Sequence, residues 1–301
     1  MELVKHDLKI DFLGKRTIAV VMSTILIMVG IVSVVIHGGL RYGIDFAGGT
    51  LVQLQFETPP AMNQIRQGLK SLGLGDSMIQ EFGSSRDILI RVERSEEKLE
   101  AVGDKIRRSV SEVMNTERVS MERVEMVGPK VGKDLREKAI LSILYATFGI
   151  VIYISWRFEF KYAIAAILAL IHDVLITMGV FSILDKEFTL VVVAAILTII
   201  GYSLNDTIVV FDRIRENLRR KNRETVEFIV NMSINQTLSR TLLTSGTTLM
   251  MVLALQFLGG EIIHDFALAL TIGIVAGTYS SIFIASVFLV LWDIRANSKR
   301  T

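Results

Sequence analysis

Residues 197–217, LTIIGYSLNDTIVVFDRIREN, begin as the tail of an apolar run and end as a charged amphipathic stretch. Asp206 stands before the changeover, with Thr207, Ile208, Val209, Val210 and Phe211 still to follow. A carboxylate near the centre of a membrane helix costs about 2.5–3.5 kcal/mol on insertion scales. Whether this stretch lies in hydrocarbon therefore decides both the fold and the meaning of Asp206.

Composition places it there. Of 301 residues 51% are hydrophobic, and the mean hydropathy of +0.49 is well above that of a soluble domain. Crossing a bilayer takes about 20 mostly apolar residues. Uncharged runs occupy 17–36, 139–156, 241–260 and 266–292, the last long enough to tilt. Two more, 162–184 and 188–211, are apolar except for His172–Asp173 and Asn205–Asp206. These predict six transmembrane helices, at 17–37, 137–157, 161–184, 188–211, 239–260 and 264–292. Around them lie short tails, 1–16 and 293–301, and a basic amphipathic helix over 212–238 suited to anionic headgroups.

Lys and Arg orient the spans. Lys5, Lys9, Lys15 and Arg16, then Arg157 and Lys161, then the stretch 213–223, and finally Arg295, Lys299 and Arg300 all fall on one side. The short opposite loops, DKE at 185–187 and GGEIIHD at 259–265, hold one lysine between them. The positive-inside rule makes both termini cytoplasmic and 38–136 external. No A-x-A-like cleavage pattern follows the first run, so it reads as a retained anchor. With zero cysteines there is no disulfide or thiolate chemistry, and the net charge of +2 carries no nucleic-acid footprint.

Residues 38–136 have a soluble composition. TLVQLQFE (50–57) alternates as a strand, and Pro59–Pro60 precede a helix whose Met62, Ile65 and Leu69 share one face, ending at Gly73. SMIQEFG and RDILIRVE predict two strands joined by an SS turn. Ser95 is placed as the N-cap of a second helix, with Lys98 where a capping box has Glu and with Leu99, Val102, Ile106, Val110 and Val113 as its apolar stripe. RVSMERVEMVG closes as a strand. The order β-α-β-β-α-β is ferredoxin-like α+β. It shows no nucleotide loop, metal cluster or catalytic triad, which leaves protein contact or a structural cap.

Two readings of Asp206 stand: the membrane ends before it, or it faces other helices or water. His172 and Asp173 sit mid-span, where each can satisfy the other structurally or serve, with Asn205, as intramembrane polar support. Arg240 opens the fifth span, either as a snorkelling anchor or as a partner that meets Asp206. Thr244 and Thr248 continue its face, carrying water or bonding back to helix carbonyls. Ala269, Gly273, Gly277, Ser281 and Ala285, at every fourth position, predict a close helix contact.

Five stretches together resemble the SecF branch of the SecD/SecF protein-export family, in the resistance–nodulation–division (RND) superfamily. They are GIDFAGGT (43–50), VGPKVG (127–132), LIHDVLIT (170–177), NDTIVVFDRIREN (205–217) and SRTLLTSGTTL (239–249), in order along the whole chain. The family motif turns are Gly43, Asp45, Gly48, Gly49, Gly128, Pro129 and Gly132. The resemblance implies a six-helix RND-type half with one external domain in a bacterial inner membrane. It implies partnership with SecD and the SecYEG channel, use of the proton motive force, and contact with unfolded polypeptide. It also implies proton passage at Asp206 and Arg240 with Thr244 nearby, and neither enzymatic chemistry, metal nor cofactor. Two other classes stay open: half of an RND small-molecule or lipid exporter, and a non-transporting scaffold subunit. An intramembrane aspartyl protease using Asp173 and Asp206 is set aside, because neither residue lies in a G-x-G-D motif.

Overall fold

The computed structural model describes residues 9–75, 77–92, 99–115, 118–220 and 224–298. A 3-10 turn, Leu13–Lys15, leads into α1 (Arg16–Ile36). Next come α2 (Ile44–Ala47), β1 (Gly49–Phe56), α3 (Met62–Ser71), β2 (Met78–Phe82), β3 (Ser84–Val92), α4 (Leu99–Met114) and β4 (Val119–Val127). The remaining helices are α5 (Pro129–Arg157), α6 (Phe160–Ile183), α7 (Leu190–Arg220), α8 (Val226–Leu258), α9 (Glu261–Ser280) and α10 (Ser286–Ser298), the last two joined through a π-helical turn at Ser281–Ala285. Among the described residues six helices are long and apolar enough to cross a membrane. The chain folds as two units, Tyr42–Ile140 and the remainder.

The sheet unit has the expected β-α-β-β-α-β order. Its strands lie β2-β3-β1-β4, all antiparallel. Val52 pairs with Ile90 on one side and Val124 on the other. One sheet face thus presents Val52, Leu54, Phe56, Ile88, Ile90 and Val92 to Ile65 and Leu69 of α3 and to Val102, Ile106 and Val110 of α4. The β2–β3 connection differs from the expected SS turn: Ser84 and Ser85 belong to β3, and Gly83 alone makes the turn at φ +77°. A side chain there meets the left-handed penalty that glycine escapes. Ser95, Lys98 and the side chain of Leu99 lie outside the described residues, as do Lys5, Arg223, Lys299 and Arg300.

In the helical unit the most buried spans are that of α7 and the one running from α9 through α10. Ile196, Ile199 and Ile200 pack with Ala267, Ala269, Leu270 and Ile274. The small-residue face of α9 lies on this contact: a Cβ on Gly273 would stand 2.3 Å from Ile199 Cγ1, and one on Gly277 2.8 Å from Ser203 Cβ. A second close approach joins α1 to α6, where a Cβ on Gly30 would stand 2.8 Å from Gly179 Cα. Phe158, Tyr162 and Phe211 form an aromatic cluster with ring centroids 5.0–6.3 Å apart. By contrast α5 exposes Tyr145, Phe148 and Trp156. Such a surface is stable against hydrocarbon or another apolar face.

Residues 212–238 do not form the single amphipathic helix read from the sequence. The C-terminal turns of α7 and the N-terminal turns of α8 pack side by side instead. Thr225 caps α8, its Oγ1 accepting from Phe228 N at 3.3 Å. Ile214, Val230 and Ile234 bury one another in a common cluster, which one straight helix cannot do. Asn217 Nδ2 ties the pair by donating to Ser233 Oγ at 2.9 Å and Gln236 Oε1 at 2.8 Å. The N-terminal segment rests on the same end of α8. Asn235 Oδ1 accepts from Ile10 N and Asn231 Oδ1 from Phe12 N, each at 2.9 Å.

The glycine contacts are testable in the purified protein. Gly30→Leu and Gly277→Leu should each destabilise it by about 1–3 kcal/mol through overpacking. Gly149→Leu, where a Cβ meets nothing within 4 Å, should not. Thermal unfolding in detergent measures all three, and equal midpoints would refute the packing assigned to Gly30 and Gly277.

Candidate functional site

Two clusters of buried polar side chains in the helical unit are built around carboxylates. Asp206, on α7, is 2% exposed. Its Oδ2 accepts a hydrogen bond from Ser245 Oγ of α8 at 2.9 Å, and Ser245 Oγ accepts in turn from Thr278 Oγ1 of α9 at 2.8 Å. Three helices therefore meet at one carboxylate. Arg240 is exposed and forms no ion pair with Asp206. The expected direct meeting of the two is absent from this conformation. Thr244 lies near Asp206 as well, but its hydroxyl donates back to Arg240 O and Thr241 O, each at 3.0 Å, and Thr248 donates to Thr244 O at 3.0 Å. These bonds tie the threonine hydroxyls to carbonyls of their own helix.

The second cluster surrounds Asp173 on α6, which is 0% exposed. Ser203 Oγ donates to its Oδ2 at 2.6 Å and Ser280 Oγ at 2.9 Å, while His172 Nδ1 lies 2.9 Å from Oδ1. The other ring nitrogen of His172 faces Ser23 Oγ of α1 at 3.1 Å. Asn205, grouped with these residues in the sequence, is exposed on the other side of α7. Ser281 is buried and donates to Thr278 O at 2.9 Å at the start of the π-helical turn.

The same helix pair builds both clusters. Ser203 precedes Asp206 by one turn of α7, and Thr278 and Ser280 neighbour each other on α9. Gly277 has no side chain to hold α9 away from Ser203, and from α9 Ser280 reaches Asp173 directly while Thr278 reaches Asp206 through Ser245. Ser203, Ser245, Thr278 and Ser280 were not singled out from the sequence. Their signal was a hydroxyl one or two turns from a buried carboxylate or a small-residue position, which many structural serines share.

The motif turns fall in the sheet unit. Gly43 precedes the single turn of α2, Asp45 lies in that turn, and Gly48 follows it at φ +74°. A Cβ on Gly48 would stand 3.1 Å from Val127 O and 3.2 Å from Pro129 Cα. One on Gly132 would stand 3.0 Å from Phe46 O. Gly128 accepts from Gly132 N at 3.0 Å in the first turn of α5, and Gly49 opens β1. The two glycine motifs, eighty residues apart along the chain in round terms (~80), thus form one backbone-to-backbone contact.

Known proteins are similar to this chain in sequence and fold. Residues 106–295 match the family described as "Protein export membrane protein SecD/SecF, C-terminal", and residues 34–60 match the "SecD/SecF GG Motif". The chain is 51% identical to the protein translocase subunit SecF of Desulfurispirillum indicum, covering 94% of this chain and 91% of that protein. It is 39% identical to the subunit of the same name from Escherichia coli O157:H7, covering 95% and 89%. Among solved structures, SecDF, a translocon-associated membrane protein from Thermus thermophilus, superimposes with a TM-score of 0.86 at 37% identity. That match covers 97% of this chain but 40% of the longer SecDF chain. SecDF in its super-membrane-facing form gives 0.71 at 36% identity, covering 100% of this chain and 40% of that one. By its two family matches, its relatives and its structural neighbours, this chain belongs to the SecD/SecF family of protein-export membrane proteins.

Proposed function

We propose that the chain is an auxiliary subunit of protein export. It works with a SecD-like partner and a SecYEG-type channel, and uses the proton motive force to assist movement of unfolded polypeptide across a bacterial cytoplasmic membrane. The length of the SecDF structures, of which this chain matches 40%, supports a partner that supplies the remainder. The names of its relatives support the export role.

The observation that carries the reading is Asp206, buried in the helical unit and accepting a hydroxyl from Ser245 of another helix, with Arg240 on that same helix and not paired with it. Desolvation, a nearby cation and hydrogen bonding are the three influences that govern a carboxyl's proton. At Asp206 all three depend on α8, which carries Ser245 and Arg240. A change in the packing of α7 against α8 therefore changes the affinity of Asp206 for a proton. A proton bound in one arrangement and released in the other supplies the free-energy difference between them. Arg240 sets the charge at this site, and Thr244 fixes the helix turn between Arg240 and Ser245. The chain acts here as a transport component rather than an enzyme. The sheet unit lies outside the membrane, between the first two spans, and contacts the emerging polypeptide.

Asp206→Asn should reduce gradient-dependent stimulation of precursor translocation into membrane vesicles to the level without a gradient, with the protein still inserted and bound to its partner. Asp206→Glu should keep part of the activity, and Arg240→Ala should behave as Asn does. Full stimulation in the Asn variant would leave a scaffold role instead. Orientation is tested separately, since the chain has no native cysteine. Cysteines at Ser85 and Lys186 should react with an impermeant maleimide from outside, and one at Glu224 only after permeabilisation. External labelling at Glu224 would overturn the topology.

A further inference from the structure

The hydrogen bonds around His172 restrict where this cluster can hold its protons. Tyr279 OH lies 2.7 Å from Ala19 O, and a carbonyl only accepts, so the tyrosine hydrogen points there. Tyr279 can then only accept from Ser23 Oγ, 3.1 Å away. With its one hydrogen given to Tyr279, Ser23 can only accept from His172, which requires a hydrogen on Nε2. On the opposite edge, Nδ1 faces Oδ1 of Asp173 at 2.9 Å. Filling that bond takes one further hydrogen, carried either by Nδ1 of an imidazolium or by the carboxyl of Asp173.

Removing one proton is possible without breaking the cluster. If the Ser23 hydroxyl turns from Tyr279 to Nε2, His172 becomes neutral with its hydrogen on Nδ1. Asp173 stays a carboxylate accepting from Nδ1, Ser203 and Ser280. One bond, from Ser23 to Tyr279, is given up, while the bond between Ser23 and His172 is kept with its direction reversed. Two hydrogen-bonded arrangements that differ by one proton thus share the same heavy-atom positions. Imidazole is the side chain suited to such an exchange near neutral pH.

We propose that His172, Asp173 and Ser23 form a second proton-binding site of the helical unit, which gains and loses one proton as the Ser23 hydroxyl turns between Tyr279 and His172. The titratable groups facing His172 are Asp173 on its own helix and Tyr279 on α9, whose ring stacks on the imidazole at 5.9 Å and 25°. From α1 and α7 the neighbours are hydroxyls, Ser23 and Ser203. Asp206, one turn beyond Ser203, is turned to Ser245 of α8. The site's role in transport rests on the proton-driven reading of Asp206, but its chemistry does not. Its consequence is a changed link between α1 and α9, since the bond from Ser23 to Tyr279 exists in only one of the two states.

The test is nitrogen NMR of the full-length protein in lipid nanodiscs, labelled at its four histidines. The signals of His172 are identified by their loss in His172→Gln. As the pH is raised through the range in which the protein stays folded, the His172 nitrogens should pass from a state with both protonated, or with Nε2 alone protonated, to a state with Nδ1 alone protonated. Ser23→Ala should move the midpoint by about one pH unit, the worth of one hydrogen bond. Tyr279→Phe removes the competing partner of Ser23 and should also move it, which keeps the test available if Ser23→Ala folds poorly. A single unchanging tautomer across the range, or a midpoint the same in both variants as in the parent, would overturn the proposal. The titration should persist in Asp206→Asn. Loss of His172 titration with Asp206 still required for stimulation would refute this site alone. Stimulation surviving in Asp206→Asn while His172 titrates would refute the Asp206 reading alone.

Discussion

A side chain at position 277 would occupy the space of Ser203, and the rest of the helical unit depends on that space being left free. Close approach between α7 and α9 lets Ser280 reach Asp173 and Thr278 reach Ser245, which in turn holds Asp206. Buried carboxylates without donors are costly, because nothing in hydrocarbon replaces lost water. Here short hydroxyl side chains replace it, and they reach only because the helices nearly touch. Packing and chemistry are one constraint: a bulkier seam would separate the donors from their acceptors.

Each cluster also recruits a helix from outside this pair. Asp206 draws in α8 through Ser245, and the His172–Asp173 pair draws in α6 and, through Ser23, α1. Movement of α8 against α7 is felt at Asp206, and movement of α1 against α9 at His172. The π-helical turn at Ser281–Ala285 directly follows Tyr279 and Ser280. Such turns loosen the regular helix ladder and recur at functional sites. Phe283, within it, packs on Tyr279 with ring centroids 5.0 Å apart, and Phe12 packs on Phe283 at 5.9 Å. An aromatic column therefore runs from the N-terminal segment held by Asn231 and Asn235 to the imidazole of His172.

Much of this was legible from residues alone. Six apolar runs announced six helices because hydrocarbon tolerates little else, and the alternation in β1 and the stripe of Val102, Ile106 and Val110 announced the sheet unit. Asp206 and Asp173 stood out by their insertion cost. Their partners did not, since serines and threonines cost little in a membrane helix and give no signal of direction. Thr244 was legible on the face of Arg240 and Ser245 was not, since one residue turns a side chain by about 100° around a helix. The contact between Gly30 and Gly179 required knowing that α1 lies beside α6. The break within 212–238 was hidden because RRKNRET (219–225) holds no Gly or Pro to mark a turn, and mutual burial of Ile214, Val230 and Ile234 explains the fold-back.

The central claim is that Asp206 changes its protonation as the helices around it rearrange. Infrared difference spectroscopy of the protein with its partner in proteoliposomes, recorded with and without an imposed proton gradient, observes this directly through the carbonyl stretch of a protonated carboxyl. A difference band that shifts in heavy water and disappears in Asp206→Asn, while persisting in Asp173→Asn, is the predicted result. A spectrum with no carboxyl band that depends on Asp206, in a preparation whose export activity responds to the gradient, would contradict it.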